Sequence, residues 1–399
     1  MLNPDMVREA TRLTRAGQLV EATAVLQRML RGHDGPAATS GNAAPVEHAR
    51  LEPPTLELKA NVVEERESGP CTQATPAKRH KGRAPFGGIK DLSDFSLPGP
   101  VGRAPLSKAD IAPDGTRFVA ASFTNAAGSR TYKLFIPSRS DRGPRPLIVM
   151  LHGCTQSPDD FAAGTRMNFL ADERNCFVVY PEQARSANHA KCWNWFRTGD
   201  QMRDGGEPSL IAGITRQIMQ EHPIDPKRVY VAGLSAGGAA AAIMGATYPD
   251  LYAAIGIHSG LACGAASDLP SALAAMQQGS AGPIGTAGAS VPTIVFHGDR
   301  DTTVHPSNAD RILRGPGEDA SVRTKILRGR VPEGHAYTRT IFTDGGGVDM
   351  SEHWSVHGAA HAWSGGSPAG SYTDPHGPDA TREMLRFFLE HSLASFTRR

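Results

Sequence analysis

The strongest constraint on this chain is a strand-like run that passes without a break into a glycine-flanked serine. The run is Arg228-Val229-Tyr230-Val231-Ala232-Gly233-Leu234-Ser235-Ala236-Gly237-Gly238, and small residues, Ala239–Ala242, follow it. Val229–Ala232 is too short for a helix and too uniformly apolar for an exposed strand, as strands buried on both faces are. A serine hydroxyl is a poor nucleophile until a base reaches it. It must therefore stand clear on a sharp turn at the carboxyl end of the strand. Gly233 and Gly237 make room for that turn, because side chains there would strike the neighbouring strand or helix. A helix beginning at Ala236 would aim its free N–H groups and positive dipole end at the same spot, where an oxyanion would be stabilised. Ser235 is the candidate nucleophile; the plain alternative is a tight strand–helix turn with no chemistry.

From about residue 111 onward, short apolar runs alternate with helical segments, the pattern of a parallel sheet with crossover helices. The strand candidates are Tyr132–Ile136, Leu147–Leu151, Phe177–Tyr180, Val229–Ala232, Ala253–Ile257 and Thr293–Phe296, with Thr338–Phe342 and Trp354–Val356 as two more. Helices are expected near 209–221, 236–247 and 379–393. In the last of these Met384, Leu385, Phe388 and Leu389 share one face.

A serine nucleophile needs a base and an orienting acid, which in this architecture follow in the order Ser, Asp, His. After Thr293–Phe296 comes His297-Gly298-Asp299-Arg300-Asp301-Thr302-Thr303-Val304. Asp301 is the preferred acid, because two extra residues carry its side chain over the sheet end. Asp299 is the alternative, more easily read as a turn residue beside Gly298. For the base, His361 lies in the small-residue loop His357-Gly358-Ala359-Ala360-His361-Ala362-Trp363-Ser364-Gly365-Gly366, which lets an imidazole reach the serine. His353 and His357 belong within or at the end of the preceding strand, and His376 is a remote candidate. A second oxyanion donor belongs in the loop after an earlier central strand, here Leu151-His152-Gly153-Cys154-Thr155-Gln156. The backbone N–H groups of Ala236 and Cys154 are the expected pair, with Thr155 as alternative. Trp193, Trp195 and Phe196 cluster in one loop and Trp363 sits beside His361. Trp193, Trp195 and Trp363 are candidate substrate-binding walls, and core packing is the plainer reading of such rings.

Taken together, Leu151–Gln156, Cys192-Trp193-Asn194-Trp195-Phe196, Gly233–Gly238, His297–Val304 and His361-Ala362-Trp363-Ser364-Gly365-Gly366 resemble the poly(3-hydroxybutyrate) depolymerase family of esterases, relatives of feruloyl and acetylxylan esterases. The resemblance runs from about residue 115 to the C-terminus. It implies an α/β-hydrolase fold, with a mainly parallel central sheet and helices on both faces. It carries over Ser235 as nucleophile, Asp301 as acid and His361 as base, with no metal or organic cofactor. A polyester such as poly(3-hydroxybutyrate) or its oligomers is the implied substrate. Feruloyl or acetyl groups on xylan are the alternative, and a non-catalytic polymer- or granule-binding protein is the alternative of another class. Cys154 and Cys192 both lie in motifs that border the site, so they are candidates for a disulfide; in a reducing cytosol free thiols are expected instead.

The remainder of the chain reads differently. Residues 1–32 read as a helical segment, with Met6, Ala10 and Leu13 on one stripe and Leu19, Ala22, Leu26 and Met29 on another, and Gly17 between. Self-association or contact with a partner or granule surface would use these helices. Residues 33–110 hold ten prolines and two aromatics, Phe86 and Phe95, and are expected to be a flexible linker. The basic run Lys78–Arg83 is read as a solvated cluster. The catalytic domain is expected over 111–399. Forty-two Lys and Arg against 40 Asp and Glu leave a net charge of +2, which argues against a nucleic-acid protein. No apolar run is long enough to span a membrane. Asp5, Arg8, Glu9, Arg12 and Arg15 interrupt any secretory apolar core. A cytoplasmic location is the expectation, with an extracellular one implied by the resemblance.

Overall fold

The computed structural model describes residues 106–139, 143–280, 291–313 and 322–393, together with the backbone of Asn61–Glu67. The N-terminal helical segment, the basic run at 78–83 and the rest of the expected linker lie outside the described residues.

Thirteen strands are described: β1 Asn61–Glu67, β2 Arg117–Asn125, β3 Gly128–Ile136, β4 Arg145–Leu151, β5 Phe177–Pro181, β6 Ile224–Leu234, β7 Ala254–His258, β8 Thr293–Gly298, β9 Arg323–Arg330, β10 Ala336–Thr343, β11 Asp349–His357, β12 Trp363–Ser364 and β13 Thr373–Asp374. The helices among the described residues are α1 Lys108–Ile111, α2 Pro158–Thr165, α3 Met167–Glu173, α4 Gly206–Glu221, α5 Ala236–Thr247, α6 Leu269–Gln278, α7 Ser307–Leu313 and α8 Ala380–Glu390. The main sheet has the order β1-β9-β10-β11-β8-β7-β6-β4-β5-β3-β2. Its centre, β5-β4-β6-β7-β8-β11, is parallel throughout. Antiparallel strands flank it on both sides. This is the α/β-hydrolase arrangement the motifs imply.

The parallel strands are apolar on both faces because both faces are covered. Alternate residues serve opposite layers: Leu147, Val149, Leu151, Val229 and Val231 join the core beneath α4 and α5, while Ile148, Met150, Tyr230 and Ala232 join the core beneath α2, α3 and α8. On the second face Tyr230 stacks on Phe388 at 5.0 Å and donates its hydroxyl to the His391 carbonyl at 2.8 Å. Each strand and helix expected from residue 111 onward is present. Strand β2, the charge-interleaved β9, the short β12 and β13, and helices α2, α3, α6 and α7 were not expected. Asn61–Glu67, inside the expected linker, pairs antiparallel with β9. Its backbone groups meet the ladder groups that β9 would otherwise leave open at its outer edge. Helix α1 also precedes the expected start of the domain, and the Ile111 carbonyl accepts from Asn168 Nδ2 at 2.9 Å.

No helix among the described residues is long and apolar enough to cross a membrane.

The antiparallel extension is fastened to α8 by one buried carboxylate. Glu352 on β11 accepts two bonds from Arg339 (2.7 and 3.0 Å), two from Arg386 (2.8 Å each) and one from Trp354 Nε1 (2.9 Å). Burial opposes its charge, but the two guanidinium groups outweigh burial and hold the carboxyl below its usual range. Removing one partner of such a group strands the others. Glu352→Ala should destabilise the domain by about 3–5 kcal/mol in urea unfolding, and a loss under about 1 kcal/mol would show that the network contributes only as a surface pair does.

Candidate active site

Strand β4 is flanked by β5 on one side and β6 on the other, so the chain reverses direction across the sheet at this point. Ligands bind parallel α/β sheets at the carboxyl ends of strands beside such a reversal. Ser235 stands at the end of β6, at φ 57° and ψ −120°, in the left-handed half of backbone space, which is strained for a residue with a side chain. A Cβ on Gly233 would collide with the Gly237 backbone and the Leu151 carbonyl, and one on Gly237 with the Leu151 and His152 carbonyls. Both glycines are therefore required by contact, and the turn joins β6, the start of α5 and the end of β4.

Asp301 lies in the loop after β8, with its side chain sealed from solvent. Its Oδ2 lies 2.7 Å from His361 Nδ1 and 3.3 Å from His297 Nε2. Its Oδ1 accepts the amides of Thr303 at 2.9 Å and Val304 at 2.8 Å. Burial alone would raise its pKa. The histidine and amide hydrogen bonds overcome burial and hold the carboxyl far below the usual range. The histidine loop is laced to the acid loop: Asp299 N–H donates to the Val356 carbonyl and Arg300 N–H to the Ala359 carbonyl, both at 3.0 Å. Asp299 points elsewhere, pairing with His357 at 2.9 Å in a half-exposed contact.

His258, at the end of β7 between the two loops, ties serine and histidine segments together. Its carbonyl accepts the Ser235 amide at 2.9 Å, and its Nε2 accepts the Ser364 amide at 3.0 Å. Burial and the neighbouring His297 and His361 press its pKa down to about 3, so the ring stays neutral and keeps a lone pair for that second bond.

The loop after β4 is pinned from several sides. His152 Nδ1 donates to the Gly153 carbonyl at 2.7 Å and Nε2 accepts the Gln183 amide at 3.1 Å; burial depresses this ring to about 4. Gln156 Oε1 accepts the Gly153 amide at 2.9 Å. The Thr155 amide donates to the Ala190 carbonyl at 2.6 Å, so it is occupied and drops out as an oxyanion donor. The amides of Cys154 and Ala236 donate to no carbonyl among the described residues. Both residues line one narrow cleft with Ser235, partly open to solvent.

Residues 130–315 match the family model described as esterase PHB depolymerase. Over this segment, a little under half of the chain, it is similar to that family. Poly(3-hydroxyalkanoate) depolymerase C of Paucimonas lemoignei is 31% identical over 232 residues, 54% of either chain. Feruloyl esterase B of Thermothelomyces thermophilus is 27% identical over 231 residues, 53% of this chain and 77% of that one. The chain spans about half the length of the two curated depolymerases it matches. Among solved structures, an acetyl xylan esterase from Aspergillus awamori superposes with a TM-score of 0.52 at 19% identity, covering 68% of this chain and 99% of that one, a likeness of fold.

Cys154 and Cys192 are joined by a disulfide, with Cα atoms 4.2 Å apart, against the expectation of free thiols. Disulfides persist in oxidising compartments and are rare in the cytosol, the location on which that expectation rested. The link binds the loop after β4 to the Cys192–Phe196 segment, which Glu207 holds in turn. Buried Glu207 accepts the Asn194 amide and Asn194 Nδ2, both at 2.7 Å, and Gln183 Nε2. Burial and the nearby Asp200 raise its pKa. Of the tryptophans, Trp195 lines the cleft. Trp193 and Trp363 do not: both are sealed in the core. Trp193 Nε1 donates to the His152 carbonyl at 3.1 Å, and Trp363 stacks on His258 and donates to Thr381. An indole N–H needs a partner when buried, and both find one behind the loops they support. Phe196 is also buried, edge-on to Trp195 at 5.9 Å. Leu261 and Met276, which the sequence did not single out, line the cleft instead.

Closing a loop between residues 38 apart restricts the unfolded chain. The double variant C154S/C192S should lose about 2–4 kcal/mol of stability in urea unfolding under non-reducing conditions. An unchanged midpoint would show that the Glu207 network alone holds the segment.

Proposed function

We propose that this chain is a serine esterase that cleaves a polyester of the poly(3-hydroxybutyrate) type or its oligomers through an acyl-enzyme. The observation that carries the reading is the 2.7 Å contact between buried Asp301 and His361, at the same carboxyl edge of the parallel strands as a strained serine whose neighbouring amide is uncommitted. Ser235 Oγ attacks the ester carbonyl carbon while His361 Nε2 takes its proton. Asp301, held ionised, fixes the tautomer that leaves Nε2 free and stabilises the imidazolium. The carbonyl oxygen, now negative, is met by the Ala236 and Cys154 amides, the former at the positive end of α5. Collapse breaks the C–O bond to the alcohol, which leaves with the proton from His361. Water then gives its proton to His361, attacks the acyl carbon, and the serine recovers the proton as the acid departs.

The cleft wall supports this substrate class. Trp195, Leu261, Met276, Val304 and the disulfide give an apolar lining suited to an aliphatic chain. A sugar-borne ester would instead call for several polar groups around the serine. The family match and the depolymerase relatives support the same ranking.

Ser235→Ala should lower hydrolysis of p-nitrophenyl butyrate by about 10⁴-fold or more; a loss under tenfold removes the nucleophile assignment and revives the non-catalytic reading. Asp301→Asn should be nearly as severe, about 10⁴-fold, while Asp299→Asn stays mild. The reverse order would transfer the acid role. Wild-type release of 3-hydroxybutyrate from amorphous polymer should exceed release of ferulate or acetate from xylan fragments, and the opposite ranking would replace the polyester reading.

A further inference from the structure

Besides Ser235, two side chains lining the cleft carry a hydroxyl, Thr155 and Thr303. They reach it from opposite sides of the nucleophile. In the sheet order β8-β7-β6-β4, Thr303 follows β8 and Thr155 follows β4, with Ser235 at the end of β6 between them. Thr303 gives its amide to Asp301 Oδ1, and its hydroxyl makes no hydrogen bond among the described residues. Thr155 Oγ1 lies 3.1 Å from the Tyr372 hydroxyl.

The Thr155–Tyr372 contact is held at a conformational cost. Thr155 sits at φ 67° and Tyr372 at φ 52°, a region unfavourable for a β-branched or bulky residue. Both are fixed by their surroundings: the Thr155 amide to Ala190, the Tyr372 carbonyl to the Trp363 amide at 2.7 Å, and the adjoining Ser371 carbonyl to Gln156 Nε2 at 3.1 Å. This segment straps the oxyanion loop to the loop that carries His361. It brings a phenol to the threonine at the cleft rim. Strain of this kind persists where the surrounding structure over-determines it, and it gathers at ligand sites.

We infer that Thr155, backed by Tyr372, and Thr303 select esters that carry a second hydrogen-bonding oxygen near the scissile bond, as hydroxy-acid oligoesters do, over simple alkyl esters. The inference rests on the esterase reading. When a substrate fills an apolar cleft, any hydroxyl in the wall loses its water. If the substrate offers no partner, the Thr303 hydroxyl is left unsatisfied and the Thr155 hydroxyl keeps no more than its contact with Tyr372, and binding weakens. A 3-hydroxybutyrate oligomer presents an ester carbonyl or a terminal hydroxyl one repeat from the bond being cut. Ethyl butyrate presents none.

The test is the ratio of kcat/KM for the 3-hydroxybutyrate dimer to kcat/KM for ethyl butyrate. T155V and T303V keep the branched shape and delete the hydroxyl, and each should lower the ratio about three- to tenfold. T155S and T303S, which keep the hydroxyl, should hold the ratio near wild type. Y372F should lower it in the same direction, and it serves where T155V fails to fold. A purely structural role lowers both rates together. An unmoved ratio in T303V and Y372F therefore overturns the inference and leaves the esterase reading intact. Wild-type protein that cleaves neither ester overturns both.

Discussion

Three backbone segments meet at the end of β6 with no room for a side chain between them, and the chemistry of the site depends on that contact. Gly233 touches Gly237 and the end of β4, and Gly237 touches Leu151 and His152. Because the segments are this close, the serine between the glycines is forced into a left-handed turn, and α5 must begin immediately after it. The same contact sets the loop after β4 against the first turn of α5. Two amides from unrelated parts of the sequence, Ala236 and Cys154, thereby border one cleft with the hydroxyl. Preorganised donors of this kind need no rearrangement when charge develops, which is the source of their effect on rate.

The loops around the turn are held by polar groups that burial keeps in one protonation state. His152 and His258 are both driven toward neutrality by desolvation. A neutral imidazole can donate at one nitrogen and accept at the other, and each uses this to pin a loop. His152 fixes the loop after β4 against Gln183. His258 joins the serine amide to the strand that follows His361. Asp301 is the converse case: it is buried yet ionised, because four groups donate to it or lie beside it. A charged acid next to an uncommitted imidazole tip is the arrangement general-base chemistry needs.

Much of this was legible in the sequence because the parallel strands are buried on both faces and read as unbroken apolar runs. The turn at Ser235 carries its own glycines, and Asp301 and His361 follow strands that could be recognised. Other features were hidden for physical reasons. Strand β9, Arg323–Arg330, lies in the antiparallel edge of the sheet, so charges interleave its apolar residues. Trp193 and Trp363 sit in motifs that border the site, yet an indole beside a catalytic loop can support it from the core as well as line it from the front. Only the packing distinguishes these. The cleft wall comes from Leu261 and Met276, ordinary core-type residues with no sequence signal of their own. The Cys154–Cys192 pairing was visible as two motifs bordering one site, but not as a bond, since redox surroundings decide that.

The central claim is that one hydroxyl, primed by a distant imidazole, becomes acylated during turnover. Protein quenched in acid during hydrolysis of p-nitrophenyl butyrate, digested and examined by mass spectrometry, tests it most directly. The account predicts a butyryl group on the peptide containing Ser235, accumulating before steady state. Continued turnover with no acyl group on that residue, or with the label on another side chain, would contradict it.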